Sequence, residues 1–268
     1  MRKSLLSQRL SMLKHVPEFN LRLATTADDV QAAQQLRYAV FVAELGGDGQ
    51  QVDHEQGMEV DCFDPFATHL LLEDVAAGAP TRLIGVYRLM TADMAAKAGG
   101  FYSEAEFDVS TLTTSGRRVL ELGRSCLHFD YRGGAAMLHL WSGLAKFVLD
   151  HEIEILFGTA SFHGTDIASL AQPLSHLHYT HAASEDLTTT PLGSGAVAMD
   201  LVPKDQIDRK AAMLATPALI KAYLRLGGVV GNGAFVDHAF NTTDVCLILE
   251  TDKVEPQMRA AIQKESSL

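Results

Sequence analysis

The chain has 268 residues, 47% of them hydrophobic, and a formal net charge of −11. Charge of that sign argues against a general nucleic-acid binder, whose footprint is basic, and no apolar run approaches the roughly 20 residues of a membrane span. The cysteines, Cys62, Cys126 and Cys246, are odd in number and lack C-x-x-C spacing, which argues against a disulfide framework or a zinc–cysteine site.

Residues 1–19 begin as a basic segment. Arg2, Lys3, Arg9 and Lys14 alternate with Leu5, Leu6, Leu10 and Leu13 at helical spacing. Such a helix suits an anionic membrane surface or an acidic protein, the alternative being a frayed tail. The segment has no secretory apolar core, so a cytoplasmic protein is expected, with peripheral membrane contact through residues 1–15.

Residues 20–24 predict a short edge strand. Thr25 or Thr26, followed by Asp28 and Asp29, predicts an N-cap, and a helix then runs over 30–44 with Leu36, Val40 and Phe41 on its apolar face. The glycine-rich, acidic stretch 46–64 has little regular pattern. A loop this long in a compact domain is functional or disordered; its carboxylates suit a cationic substrate, against the alternative of a solvated acidic loop. Residues 68–75 and 82–90 read as a hairpin joined through 76–80. Residues 94–115 hold helix-like fragments and a loop.

Residues 118–135 organise the chain. Val119, Leu120, Leu122 and Leu127 make a strand with Glu121 and Arg124 among them. The strand breaks at Asp130-Tyr131-Arg132-Gly133-Gly134, and an apolar pattern at helical spacing restarts from Ala135 and continues to residue 150. A strand, a glycine loop and a helix N-terminus together present free backbone N–H groups and a positive dipole end to an anion. The functional reading is a phosphopantetheine-thioester site with its acid–base group beside it; the alternative is a corner without a ligand. Glu121 and Arg124, three apart on a strand, are expected on opposite faces. Cys126 is a candidate nucleophile, although a buried cysteine is more often an inert small hydrophobe.

A strand over 153–162, parallel to the central one, closes a crossover unit. A short helix is expected over 166–174. Residues 175–194 carry His176, His178 and His181, but no neighbouring Cys or Asp completes a metal site, and no metal is expected. A helix with proline in its first turn follows over 217–226, then a flexible glycine turn at 227–233, a buried strand at 244–249 and a polar tail over 251–268.

Four motifs occur in order: Leu36-Arg37-Tyr38-Ala39-Val40-Phe41, Glu59-x-Asp61-x-Phe63-Asp64, Leu83-Ile84-Gly85-x-x-Arg88-Leu89 and Glu121-Leu122-Gly123-Arg124. This series resembles acyl-homoserine-lactone synthases, members of the GNAT-like acyltransferase fold. Gly47-Asp48 stands where those synthases typically have a tryptophan. The segment from Pro217 to Gly227, with Asp237, Phe240, Asp244 and Val245 after it, is similar to hemolysin-like acyltransferases, most closely the ornithine–acyl-carrier-protein N-acyltransferases. The resemblance spans residues 20–250, of which about 175–250 form a family-specific C-terminal part. It implies an α/β (α+β) GNAT-like domain with a central mixed sheet flanked by helices. It also implies transfer of a 3-hydroxy fatty acyl group from acyl carrier protein to the α-amine of ornithine, with no tightly bound cofactor. Alternatives are glutamine or another amino acid as acceptor, an acyl-homoserine-lactone synthase, or a non-catalytic acyl-carrier-binding module.

Amide formation needs a base for the amine and donors for the oxyanion. Glu121 is the first candidate base and Glu59 the second. Backbone N–H groups of Cys126, Leu127 and His128 are candidate oxyanion donors, provided their strand splays from the next. Tyr131, Arg132, Gly133, Gly134 and Ala135 are expected at the pantetheine phosphate. Arg37, Arg88 and Arg124 are expected to hold the substrate carboxylate or brace the acidic loop. Phe41, Asp61 and Asp64 are expected at the substrate, the two acids at its cationic end. Acyl carrier protein is expected to dock on a patch drawn from Arg2, Lys3, Arg9, Lys14, Arg117, Arg118, Arg132 and Lys146.

Overall fold

The computed structural model describes residues 16–76 and 81–254; the basic stretch at 1–15, most of the 76–80 turn and the tail beyond 254 lie outside them. Eight strands form one sheet: β1 (Phe19–Leu23), β2 (Thr68–Asp74), β3 (Arg82–Thr91), β4 (Val119–Leu127), β5 (Ile155–His163), β6 (Ala196–Val197), β7 (Val229–Asp237) and β8 (Thr242–Glu250). Their order is β1-β2-β3-β4-β5-β8-β7-β6. β4 and β5 pair in parallel and the other neighbours antiparallel.

Period-two alternation sends apolar side chains to both faces of the central strands, so the sheet is covered on both sides. On one face Leu72, Leu89, Leu120 and Leu122 meet α3 (Ala136–Asp150), α4 (Ala171–His181) and α6 (Ala218–Arg225). On the other, Leu71, Val86 and Cys126 meet α1 (Ala27–Arg37), while Met90, Phe157 and Ile248 meet the segment around α2 (Ala92–Ala98), Phe101 and Phe107. Arg209–Ala215, α5, packs on α4.

α1 starts where Thr26 accepts the Asp29 N–H and Asp29 returns the bond to the Thr26 N–H, a reciprocal cap. The predicted helix continues to residue 44, but its second half, Tyr38–Glu44, is π-helical. Two sequence expectations are corrected. The helix expected over 166–174 begins at Ala171, because Asp166 folds 166–170 into turns through the Ala168 N–H at 3.1 Å; α4 then carries His176, His178 and His181. The glycines of 227–233 do not make a flexible turn: β7 begins at Val229 and bulges between Val230 and Ala234. Gly233 takes a φ of +102°, and a Cβ on Gly231 would lie 2.0 Å from the Thr189 hydroxyl. These residues are glycine because a bulge and a close approach require it.

Candidate active site

β4 and β5 are in register only at Val119–Ile155, Leu120–Leu156 and Glu121–Phe157. Beyond those pairs β4 runs with β3, and β5 runs with β8 over its whole length, so a seam opens between them. The fork is tight at its apex: a Cβ on Gly158 would sit 2.1 Å from the Leu122 carbonyl oxygen. At Arg124 the backbone turns left-handed, with a φ of +51°, and the β3–β4 register shifts by one. That bulge cancels the expected alternation, so Arg124 and Glu121 lie on the same face, both against Tyr102.

A cavity of about 270 Å³ fills the seam. Its wall includes Phe41 and Leu45 of the π-helical turn, Gly123, Arg124 and Ser125 of β4, Ser161 and His163 of β5, and Asp237, Phe240 and Asp244 of the β7–β8 hairpin. A void of about 30 Å³ at Gly158 shares Tyr87, Leu122 and Leu219 with it. That void also shares Leu156, Tyr223 and Leu249 with a third cavity of about 350 Å³ behind the sheet, lined by Trp141, Leu144, Val148 and Leu226. The three adjoin through these shared wall residues; the fork-side cavity carries Arg124, Asp237 and Asp244 on its wall, while the one behind the sheet is almost wholly apolar. At the small void the hydroxyls of Tyr87 and Tyr223 are hydrogen-bonded at 2.8 Å, both buried.

Six of the residues singled out in the sequence form a buried ion network under the cavity. Arg37 bonds Glu59, Asp64 at 2.6 and 3.0 Å, and the Glu59 carbonyl at 2.7 Å. Arg88 bonds Asp61, and its other contact, Asp64, lies at 3.4 Å. Arg124 reaches Glu59 and Asp61, each at 3.1 Å, and the Gln51 side chain at 2.6 Å. Arg37 and Glu59 are fully buried, and Arg88, Asp61 and Asp64 nearly so. Burial pushes the Asp64 carboxyl up, but the Arg37 guanidinium outweighs it and holds the group well below the usual carboxylate range. Three guanidinium groups balance three carboxylates, and of the six only Arg124 reaches the cavity wall. Through these bonds Arg37, Arg88, Asp61 and Asp64 brace the acidic loop, and none of the four lines the cavity.

Glu59, carrying both Arg37 and Arg124, has no free oxygen for a substrate. Glu121 is 2% exposed and accepts the backbone N–H groups of Tyr102 at 3.0 Å and Ser103 at 2.7 Å. Burial raises its pKa against those hydrogen bonds. It fixes the turn that lays Tyr102 over the Arg124 guanidinium, 4.4 Å from the ring centroid. The Cys126 thiol is pushed up to about 12 by burial, which makes it an inert core group.

After the seam, the Gly133–Gly134 loop leads into α3. Gly133 has a φ of +77°, nothing lies within 4 Å of a Cβ on either glycine, and no side chain caps the helix. Tyr131 donates to Asp74 at 2.7 Å, and Arg132 to Glu44 at 2.8 Å and to the Leu127 carbonyl at 3.0 Å. The His128 N–H is spent on the Ile84 carbonyl at 2.8 Å. Of the expected docking patch, Arg2, Lys3, Arg9 and Lys14 lie outside the described residues; of the rest, Arg117 pairs with Glu250, Arg118 with Glu152, Arg132 with Glu44 and Lys146 with Asp150.

Sequence reading passed over Glu106, which follows the Tyr102 turn, and gave Asp237 and Asp244 no role. One oxygen from each lies within 4.8 Å of the others. Burial, then the charges of Asp244 and Asp237, push the Glu106 carboxyl up to about 9. Burial also pushes Asp244 up to about 6, against the hydroxyls of Ser161 and Thr242. The native protein thus holds protons that an unfolded chain, with carboxyls near the ordinary value of about 4, has released. Folding stability from these groups is complete below about pH 4 and is lost as pH rises toward 9. At fixed ionic strength the parent is expected to lose melting temperature relative to Glu106→Gln as pH rises from 5 to 9; a difference between the two that does not change with pH would contradict this.

Residues 36–142 match the acetyltransferase (GNAT) domain family. The fold is similar to that of a CoA-dependent acyl-homoserine lactone synthase, BjaI, solved with MTA (TM-score 0.53, 14% identity, covering 94% of this chain and 90% of that one). The L-ornithine N(alpha)-acyltransferase of Rhodobacter capsulatus is 55% identical over 243 residues, 90% of this chain and 93% of its own. That of Brucella abortus is 40% identical over 247 residues, 91% of this chain and 88% of its own. A splayed mixed sheet with a cavity at its fork, on a GNAT domain and at this level of identity, makes the chain an acyltransferase that belongs to the L-ornithine N(alpha)-acyltransferase family.

Proposed function

We propose that the protein transfers a 3-hydroxy fatty acyl group from acyl carrier protein to the α-amine of L-ornithine, giving a lyso-ornithine lipid. The observation that carries this reading is the pair of neighbouring cavities at the fork, one with Arg124, Asp237 and Asp244 on its wall to suit an amino acid, the other apolar to suit an acyl chain. Ornithine as acceptor is supported by the names of the relatives.

The thioester lies across the seam. Its phosphate meets the free N–H groups from Gly133 to Ala136, where the uncapped α3 N-terminus favours negative charge. Tyr131 and Arg132 shape that loop through their own partners. The α-ammonium first gives up one proton; the neutral amine then attacks the carbonyl carbon, the carbon–sulfur bond breaks, and a second proton from the same nitrogen goes to the departing thiolate. With His128 bonded to β3, ladder alternation turns the Leu127 N–H toward the seam, where it serves as oxyanion donor. Arg132 on the Leu127 carbonyl supports that orientation. Glu121 and Glu59 act by position, and the first proton leaves through the mouth of the fork-side cavity beside His163. At the small void between the cavities the Tyr87 and Tyr223 hydroxyls suit a hydroxyl near the carbonyl end of the acyl chain. Among the described residues no helix is long and apolar enough to cross a membrane; contact with the bilayer is assigned to residues 1–15.

The test is product formation by the purified protein with L-ornithine and either 3-hydroxyacyl carrier protein or the matching acyl-CoA, read by mass spectrometry. N-acyl ornithine from the carrier-protein donor is expected. Equal turnover of the CoA donor would remove the carrier protein from this reading. No acylated amino acid from either donor, with ornithine or any standard amino acid, would overturn it.

A further inference from the structure

The buried ion network is neutral by itself and makes no ion pair with Glu106, Asp237 or Asp244; Arg124 acts on Glu106 and Asp244 only through space, and Glu106 keeps its proton at neutral pH. Among the described residues none of the three makes an ion pair with a lysine, arginine or histidine. Glu106 is 5% exposed and Asp244 4% exposed, and one oxygen of each, Oε2 and Oδ1, has no hydrogen-bond partner. Burying a polar atom without a partner is costly, and here two such atoms belong to one cluster, of which Asp244 lines the cavity and Glu106 stands behind it. Asp237 spends Oδ1 on the Ala239 and Phe240 N–H groups at 2.8 and 3.2 Å. Asp237 and Asp244 line the chamber, while Glu106 backs the cluster. The hairpin that bears the two aspartates is anchored, since Asp48 donates its N–H to the Ala239 carbonyl at 2.8 Å. Phe240 packs so closely over Gly47 that a Cβ there would meet its ring at 2.8 Å.

We propose that Glu106, Asp237 and Asp244 form the subsite for the side-chain ammonium of the amino-acid acceptor, and so select a dibasic amino acid. The inference rests on the ornithine reading above and deepens it. An ammonium has three donors and one charge. It supplies the unpaired oxygens of Glu106 and Asp244 with hydrogen bonds and neutralises part of the cluster. An acceptor with an apolar side chain of the same length would leave both oxygens unpaired, a large penalty for a buried polar site. The α-amine is then directed away from the cluster, toward the fork.

The decisive comparison is ornithine against norvaline, which keeps the chain length and lacks the side-chain amine, in the parent protein and in Asp237→Asn and Glu106→Gln. Asp237→Asn keeps the acceptor that caps the hairpin turn. The parent is expected to favour ornithine by a hundredfold or more in kcat/KM. The variants are expected to lose ornithine efficiency tenfold or more, mainly through KM, while norvaline turnover stays level or rises; that turnover also reports that the variants are folded. Equal losses on both acceptors would assign the cluster to the α-amine or to structure and overturn the proposal, as would unchanged ornithine KM. Activity abolished by a chelator and restored by a divalent cation would assign the carboxylates to a metal instead. If the parent acylates norvaline well and ornithine not at all, the ornithine reading itself fails, a result distinct from all of these.

Discussion

Arg37→Ala is expected to leave little folded protein, a result that separates the two roles sequence allows for Arg37, holding the substrate carboxylate and bracing the acidic loop. Its guanidinium makes hydrogen bonds to Glu59, to both oxygens of Asp64 and to the Glu59 carbonyl, with no exposed surface. Removing it strands two buried carboxylates against the remaining Arg88 and Arg124. Breaking a buried pair from one side costs about 3–5 kcal/mol, against a total stability of about 5–15 kcal/mol for an ordinary domain. The lost bonds also hold Glu59, and through it Arg124, which forms the cavity wall. Lysine at this position cannot make the forked set of bonds, so Arg37→Lys is expected to recover only part of the loss. Thermal unfolding with ornithine titrations checks this. A variant with the parent's melting temperature and a raised KM for ornithine would return Arg37 to the substrate.

Much of the fold was legible because its signals are local. The Thr26 cap, the hairpin of β2 and β3, the strand–loop–helix unit from Val119 to Asp150 and the buried β8 all follow from period and turn chemistry over a few residues. The glycines of β7 misled because glycine has two uses. A turn and a close approach look alike in sequence, and only the neighbour, Thr189 against Gly231, separates them. The site was half legible for a similar reason. The motif residues Arg37, Glu59, Asp61, Asp64, Arg88 and Arg124 do come together, but as a balanced network under the cavity; a motif does not say which of its charges face inward. One left-handed residue at Arg124 reversed the expected facing of Glu121. Glu106 carried no local signal. It becomes visible only when β8 enters the sheet beside β5 and brings Asp244 within reach, a pairing that joins the centre of the chain to its C-terminal part.

Gly158→Ala is expected to damage the fork and the acyl path together. At Gly158 the parallel pairing has just ended, and the Leu122 carbonyl oxygen occupies the place a methyl group would take, 2.1 Å from the new Cβ. The obstacle is backbone, so no rotamer relieves it; β4 and β5 must part. Overpacking of this kind costs about 1–3 kcal/mol. Gly158 also lines the small void between the two larger cavities, together with Tyr87, Leu122 and Tyr223, so parting the strands there changes its shape. Displacing the seam by about 1 Å from its attack geometry can cost a hundredfold in rate, and a long acyl chain must also pass that void. We therefore expect kcat/KM with a long-chain donor to fall about a hundredfold, with a visibly smaller loss for a donor too short to reach the cavity lined by Trp141 and Leu226. Parallel assays with the two donors, alongside a melting curve, separate the effects. Equal losses for both donors would confine the damage to the fork. Full activity with the long-chain donor would mean that the acyl group does not travel through the sheet at Gly158, and the apolar chamber behind it would need another occupant.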